Sequence, residues 1–155
     1  MSEIDTFHVS QKLFFINEKQ EILILKDAHT PYYDFPGGRL DKNEFDVPLL
    51  DCLQREIREE LGEKFLFTIE ESVVALDSLW NKTLKRLDDK RHVFLLFYEG
   101  EYEGGEIILS DEHESYKWVK IATFNPIGMF KPGIEETVRA YLPAGRQVSL
   151  SNDNL

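Results

Sequence analysis

The stretch "REIREELG", residues Arg55–Gly62, puts several carboxylates on one side of a predicted helix. At about 100° per residue, four glutamates fall within about a quarter of the helix circumference: Glu56, Glu59, Glu60 and Glu63. Like charges four residues apart destabilise an isolated helix by about 0.2–0.5 kcal/mol per pair. We therefore expect this acidic face to be a stability cost that is retained for another purpose.

The apolar stripe of the same helix begins beside Glu60, so the carboxylates flank the side that is predicted to be buried. Half-buried carboxylates need a cation. Arg55 and Arg58 lie on the far flank of the helix wheel and are expected to leave most of the patch uncompensated. A divalent metal ion would complete the patch, and a solvated acidic face is the alternative interpretation of such a charge run.

The composition favours one domain with a real core, because the chain has 155 residues of which 42% are hydrophobic. The formal charge of −11 opposes binding to nucleic acid or to anionic membranes, where affinity comes mainly from Lys and Arg. An anionic substrate would therefore need bridging cations.

Cys52 is the single cysteine, which excludes an intramolecular disulfide and a Cys-rich zinc site. We expect it to pack beneath the neighbouring Gly-Gly loop, since no partner that would activate its thiol is evident.

The first residues, "MSEIDTFHVSQKLFF", lack a basic region followed by an apolar run, and no stretch approaches transmembrane length. A cytoplasmic monomer or homodimer without a membrane partner is expected.

The first half of the chain predicts a hairpin, a loop and a helix. Residues 12–27, "KLFFINEKQEILILKD", contain two apolar runs around a polar turn, and residues 31–46 form a loop that contains Pro-Gly-Gly. The helix is predicted from about Pro48 to Leu61, with Asp46 as its N-cap and Gly62 just after its end.

The second half predicts further strands and a closing helix. Strands are expected at residues 64–69, 72–80, 92–100, 103–109 and 116–121, with a charged loop at 81–91. The helix is expected at 134–142, and the polar tail 143–155 is expected to be disordered. One domain over residues 1–142, with a mixed β-sheet between helices, is the α/β sandwich that this order predicts.

Together, "GGRLDKNE" (37–44) and "REIREELG" resemble the Nudix box, in which a Gly, here Gly38, is followed after five residues by a Glu, here Glu44. Two departures are visible. Ten residues separate Glu44 from Arg55, where the family has seven, and Glu63 replaces an aliphatic residue. Because Pro48 is not tolerated inside a helix, the three extra residues are expected to lengthen the loop before the helix.

The resemblance implies a Nudix-type α/β/α sandwich and an enzyme that hydrolyses nucleoside diphosphates linked to another group, with Mg²⁺ or Mn²⁺. It implies that the metal ligands are Glu56, Glu59, Glu60 and the Gly37 carbonyl. These are the hard oxygen donors that such cations prefer. One of the glutamates would also orient or deprotonate the attacking water, and Arg55 would pair with Glu44 to hold the loop against the helix.

A second segment, "DEHESYKWV" (111–119), is similar to a run in Nudix hydrolases of nucleoside triphosphates. Glu112 is the first candidate for completing the metal site or acting as base, and Glu114 is the second. His113 is expected in the loop or behind the ligands. A polar loop leading into a strand with core aromatics, Tyr116 and Trp118, is the alternative.

Candidate phosphate-binding cations are Arg39 in the box and Lys85, Arg86 and Arg91 in the charged loop, for which a purely solvated loop is the alternative. The favoured substrate is a nucleoside or pterin triphosphate. Dinucleoside polyphosphates come next, then ADP-ribose or nucleotide sugars. A non-catalytic nucleotide sensor on the same fold and a small acidic interaction module are the competing functions.

Overall fold

The computed structural model describes residues 2–4, 6–79 and 92–152. Its strands are β1 (Phe7–Ile16), β2 (Glu21–Asp27), β3 (Tyr33–Asp34), β4 (Gly37–Arg39), β5 (Leu66–Leu79), β6 (His92–Gly104) and β7 (His113–Lys120). The helices are α1 (Leu49–Leu61) and α2 (Pro132–Asn152), and short 3₁₀ turns occupy Lys42–Glu44 and Ile121–Thr123.

The described strands form one mixed sheet with the order β3-β2-β1-β6-β5, while β4 pairs with β1 and β7 pairs with β2. β1 and β6 are parallel and the other pairs are antiparallel. The predicted hairpin is confirmed, since Ile16 pairs with Ile22 across its turn.

The helices cover opposite faces of the sheet. Leu53 and Ile57 of α1 join one buried cluster, and Ile134 and Val138 of α2 join the other. Because successive side chains of a strand point to opposite faces, β1 contributes to both clusters. The α/β/α sandwich with a mixed sheet is therefore confirmed. No helix in the described ranges is long and apolar enough to cross a membrane.

The start of α1 differs slightly from the prediction. The residue before its first turn is Pro48, not Asp46, and no side chain caps the helix there. Proline suits this position because its fixed φ is compatible with the first turn and it has no N–H to satisfy. Gly62 ends the helix with a φ of 89°, and its N–H bonds the Arg58 carbonyl.

The two strands predicted at 64–69 and 72–80 are one strand, β5, with an irregular register between Ile69 and Ala75. The strand predicted at 103–109 is wrong. β6 ends at Gly104, and the N–H groups of Ile108 and Ser110 instead donate to the carbonyls of Leu61 and Glu60 at the end of α1. These are carbonyls that a helix cannot satisfy internally.

The last helix is longer than predicted. It begins at Pro132 and continues to Asn152, so the tail that was expected to be disordered from residue 143 is helical through Asn152. Extending an existing helix costs much less than nucleating one, which explains why a weak helical sequence can follow a packed one.

The charged loop predicted at 81–91 lies outside the described residues, and the domain boundary at 142 stays a prediction.

Candidate functional site

The Gly-Gly segment, Gly37 and Gly38 at the start of β4, lies between β1 and α1 because glycine permits two close approaches. Gly37 has a φ of 140°, and a Cβ there would lie 1.9 Å from the Gln11 carbonyl oxygen. At Gly38 a Cβ would lie 2.6 Å from the Glu56 carboxylate. The absence of side chains therefore lets this loop lie against a neighbouring strand and against a box glutamate.

Arg55 is the centre of the predicted acidic face. Its guanidinium donates to Glu44 (Nε to Oε1, 2.8 Å), Glu56 (Nη2 to Oε1, 2.9 Å) and Glu59 (Nη1 to Oε2, 2.9 Å). The predicted contact between Glu44 and Arg55 is present. The expectation that Arg55 leaves most of the patch uncompensated is wrong, because the planar fork of guanidinium donors can serve several carboxylates at once.

Glu44 also fixes the turn in which it lies. Its Oε2 accepts the backbone N–H of Asp41 at 2.8 Å. This hydrogen bond, together with Arg55, keeps the pKa of Glu44 below its usual value against the opposing effect of burial. Glu44 is therefore an ionised link between the loop and the helix.

Glu56 is half-buried beneath Gly38, with 19% of its side chain exposed. Burial raises the pKa of Glu56, and the nearby charges of Glu59 and Glu60 raise it further, although Arg55 acts in the opposite direction. A carboxylate with a raised pKa is a better proton acceptor than a solvated one. Glu59, by contrast, has 59% of its side chain exposed.

Glu60 is buried and points away from Arg55. Its Oε2 accepts the Gly37 N–H at 2.8 Å, and its Oε1 lies 3.2 Å from Nε2 of His113. Burial would lower the pKa of His113, but the hydrogen bond and charge of Glu60 outweigh it, so the pKa is raised. The acidic face is thus not one repelling patch, since Glu60 has its own partners.

The segment before β7 brings a further carboxylate to this place. Ligand atoms of Glu60, Glu112 and His113 all lie within 4.8 Å of one another. The backbone N–H of Ala28 bonds the Glu112 carbonyl at 2.9 Å, which anchors the segment to the end of β2. Glu114, the second candidate, is exposed on β7 and does not belong to this group. The geometry therefore favours Glu112 over Glu114.

The two aromatics of the segment have different surroundings. Trp118 packs against the α1-side core and lies 5.1 Å from the Tyr102 ring, whereas 43% of Tyr116 is exposed.

Cys52 is buried beside the Val47 carbonyl, and burial raises the pKa of its thiol. The burial agrees with a packing role, while the expected contact with the Gly-Gly loop stays a prediction.

The candidate phosphate-binding residues are only partly described. Arg39 ends β4, with its Nη1 3.2 Å from Nδ1 of His8. Lys85, Arg86 and Arg91 lie outside the described residues. Lys12, whose ammonium lies 2.7 Å from the Asp34 carboxylate, was not predicted as part of the site. Its one signal in the sequence is the polar run Ser10–Lys12, which lies inside β1 immediately before four apolar residues.

The donor set fits a hard divalent cation. Glu60 and Glu112 offer carboxylate oxygens close together, beside a nitrogen of His113, whereas the predicted ligands Glu56 and Glu59 bind Arg55 and do not belong to this group of described residues. Mg²⁺ and Mn²⁺ are suited to carboxylate and carbonyl oxygens. The residues present can therefore hold the metal that the box implies.

Comparisons with known proteins identify the family of this chain. The family model described as the NUDIX domain matches residues 6–141. A Bacillus subtilis (strain 168) protein with a provisional name as an 8-oxo-dGTP diphosphatase is 30% identical over 105 residues, which are 67% of this chain and 60% of that protein. The match thus spans less than two thirds of that relative's length.

Two solved structures show the same fold. A MutT protein from Methanosarcina mazei Go1 aligns with a TM-score of 0.71 at 19% identity, over 93% of this chain and 99% of that chain. An Ap4A hydrolase from C. elegans aligns with a TM-score of 0.66 at 18% identity, over 92% and 98% of the two chains. With the family model covering most of the chain, and with the box residues gathered around Arg55, this protein belongs to the NUDIX domain family.

Proposed function

We propose that this protein is a metal-dependent pyrophosphohydrolase that cleaves a nucleoside diphosphate linked to another group. The observation that carries the proposal is the arrangement around α1. Arg55 binds Glu44, Glu56 and Glu59 on one side of the helix, while Glu60 meets the Glu112 segment on the other. A sensor or a simple interaction module would not need this complete set of carboxylates.

The residues that would hold Mg²⁺ or Mn²⁺ are Glu56, Glu59, Glu60 and Glu112, with the Gly37 carbonyl as a further oxygen donor. When bound, the metal neutralises phosphate charge and makes the phosphorus a better electrophile. The net charge of −11 is one reason why an anionic substrate needs it. The same charge supports a small-molecule substrate over nucleic acid.

The side chains of the protein have separate proposed roles in the reaction. Glu56 is the first candidate for orienting or deprotonating the attacking water, because its carboxylate is half-buried beneath Gly38 and is fixed by Arg55. Arg55 fixes the orientation of Glu56 and Glu59, and Glu44 fixes Arg55. Glu112 is the alternative base, since it is exposed at the edge of the same site. Arg39 is proposed to contact a substrate phosphate.

A nucleoside triphosphate is the proposed substrate class, with a pterin triphosphate as the near alternative. Its support is the "EHESYKW" run, residues 112–118, together with the provisional name of the Bacillus subtilis relative. With a nucleoside triphosphate, water would attack the α or the β phosphorus and the anhydride bond between these two phosphates would break. The products would be a nucleoside monophosphate and pyrophosphate, with the proton of the water passing to the base.

The experiment is product analysis over a panel with Mg²⁺, with Mn²⁺ and with a chelator. The panel holds nucleoside triphosphates, including 8-oxo-dGTP, a pterin triphosphate, dinucleoside polyphosphates, ADP-ribose and nucleotide sugars. Metal-dependent release of pyrophosphate from a triphosphate is the expected result. Tight binding without hydrolysis would indicate a sensor, and neither binding nor hydrolysis would indicate an interaction module. Either result would overturn the proposal.

A further inference from the structure

A buried ion pair lies beside the candidate site but outside the box. Lys12 of β1 and Asp34 of β3 join Nζ to Oδ2 at 2.7 Å, with 10% and 22% of their side chains exposed. Removing two such charges from water is costly, and a hydrophobic pair of similar volume is often as stable or more stable. The pair is therefore weak evidence for fold stability, and its position beside the candidate site raises the question of a further role.

The pair is connected to Glu60 by a short series of contacts. The other oxygen of Asp34, Oδ1, accepts the Phe35 N–H at 2.7 Å. Two residues further along the chain, the Gly37 N–H donates to Glu60 at 2.8 Å. Asp34 thus holds the Phe35 backbone at the start of the segment Asp34–Gly37, and the N–H at the end of this segment donates to Glu60.

The backbone of Lys12 contacts the same loop from the other side. Lys12 is the register partner of Gly37 in the β1–β4 ladder, and the next residue, Leu13, donates its N–H to the Pro36 carbonyl at 2.8 Å. The side chain and the backbone of one strand therefore hold both ends of the segment Asp34–Gly37. Such a segment has little freedom to move away from Glu60.

The charges around Lys12 favour its ammonium form. Burial alone would lower the pKa of Lys12, and Arg39 acts in the same direction, but Asp34 and Glu60 outweigh both and raise it. The ammonium contacts Asp34 and is attracted by the charge of Glu60.

We propose that Lys12 and Asp34 are positioning residues that hold the loop Asp34–Gly37 so that the Gly37 N–H keeps the Glu60 carboxylate in place. The inference rests on the proposed function, because Glu60 is one of the proposed metal ligands. The pair acts through Gly37 and is not itself placed on the substrate.

The test compares the parent with Lys12→Met, Asp34→Asn and the double variant, all without metal. Met keeps an unbranched stem of similar length, and the double variant leaves neither member of the pair as an unpaired charge. Hydrogen exchange of the Gly37 amide, followed by NMR, reports the contact with Glu60 directly. We expect the exchange protection of the Gly37 amide to fall by about tenfold or more in the double variant, since the segment Asp34–Gly37 would then open locally more often.

A second readout is kinetic. With saturating Mg²⁺, we expect the double variant to lose turnover by about 10–100-fold, as is typical when a partner that orients a ligand is removed. Lys12→Arg, which keeps the cation, should retain most of the protection and turnover. Thr137→Val is the control, because it removes a buried hydrogen bond to the Gly133 carbonyl in α2, away from the loop.

The outcomes separate the two proposals. Parent-like Gly37 protection and turnover in a folded double variant would overturn the positioning role. An equal loss of protection at Gly37 in Thr137→Val would also overturn it, since the effect would then be general destabilisation. A parent without turnover on any substrate would overturn the proposed function, while the exchange result would still decide the role of the pair.

Discussion

Arg55 binds Glu44 across eleven residues of sequence, and this contact joins the loop to α1. The same guanidinium holds two carboxylates of the helix, so its position decides where they point. The three extra residues before α1 do not prevent this contact, because Phe45 and Val47 are exposed in the loop and the helix begins only at Leu49. The register of the box is retained.

Replacing Arg55 with Lys should impair activity far more than stability. A compact ammonium cannot serve three carboxylates at once, so Glu56 and Glu59 lose their orientation. We expect turnover to fall by about 10–100-fold, the usual cost of losing a side chain that orients ligands. The exposed Arg58→Lys on the same helix is the matched control. Equal turnover in both variants would contradict the role given to Arg55.

Glu112 and Glu114 offer a comparison two residues apart. Because Glu112 lies with Glu60 and His113, Glu112→Gln should lower turnover by about 10–1000-fold. Glu114→Gln, at an exposed position on β7, should stay near the parent. The measurement is the steady-state turnover of both variants at saturating Mg²⁺. Two equal, mild losses would indicate that residues 111–115 are only a polar loop.

Glu60→Gln should destabilise the protein even without metal, contrary to what the charge pattern alone suggests. Only 7% of the Glu60 side chain is exposed, and an amide would lose the charge that pairs with His113. The expected loss is about 1–3 kcal/mol in the free energy of unfolding. Glu59→Gln, at an exposed position, should change it by less than about 0.5 kcal/mol. Urea unfolding with a chelator present measures both, and indistinguishable stabilities would contradict the burial argument.

The two loop glycines should respond differently to alanine. At Gly37 the new Cβ would meet the Gln11 carbonyl in a left-handed backbone, so Gly37→Ala should lower the free energy of unfolding by more than about 2 kcal/mol. At Gly38 it would meet only the flexible end of Glu56. Gly38→Ala should therefore stay folded but lose turnover. Thermal melts and rates on both variants check this, and a fully active Gly38→Ala would show that Glu56 need not stay in place.

Asp27 should contribute stability only above acidic pH. Partial burial raises its pKa, but the backbone N–H groups of His29 and Thr30 donate to Oδ1 and lower it overall. A lowered pKa means that the stability is present above the unfolded-state value and is lost as pH falls through the folded value. Asp27→Asn should thus melt below the parent at pH 7, and the difference should shrink as the pH falls through the lowered pKa of Asp27.

The control for this pH series is Asp46→Asn, an exposed position in the loop before α1. Its difference from the parent at pH 7 should be small, as is usual for an exposed substitution. A gap between the parent and Asp27→Asn that stays constant from pH 7 to pH 2 would contradict the assignment of the lowered pKa to this carboxylate.

Local spacing was sufficient to predict the helix of the box, its apolar stripe and the group of glutamates along it. These features depend on residues a few positions apart, whose angular relation is set by the helix itself. The hairpin was predictable for a similar reason, since two alternating apolar runs around a polar turn have few other ways to pair. The pairing of Arg55 with Glu44 followed from the resemblance to the family.

Only the tertiary structure decided which carboxylates are partnered and which residues from elsewhere join them. Glu60 is buried because the Gly37 loop and the His113 segment close over it, and neither contact is visible in the spacing of the helix. The segment 105–110 became a cap for α1 instead of a strand, because the free carbonyls at the helix end compete for its N–H groups. The pairing of Lys12 in β1 with Asp34 in β3 likewise depends on tertiary structure, because β2 lies between these two strands in the sheet and the side chains meet across it. Long-range burial is set by packing among all the elements, and no local pattern in the chain carries that information.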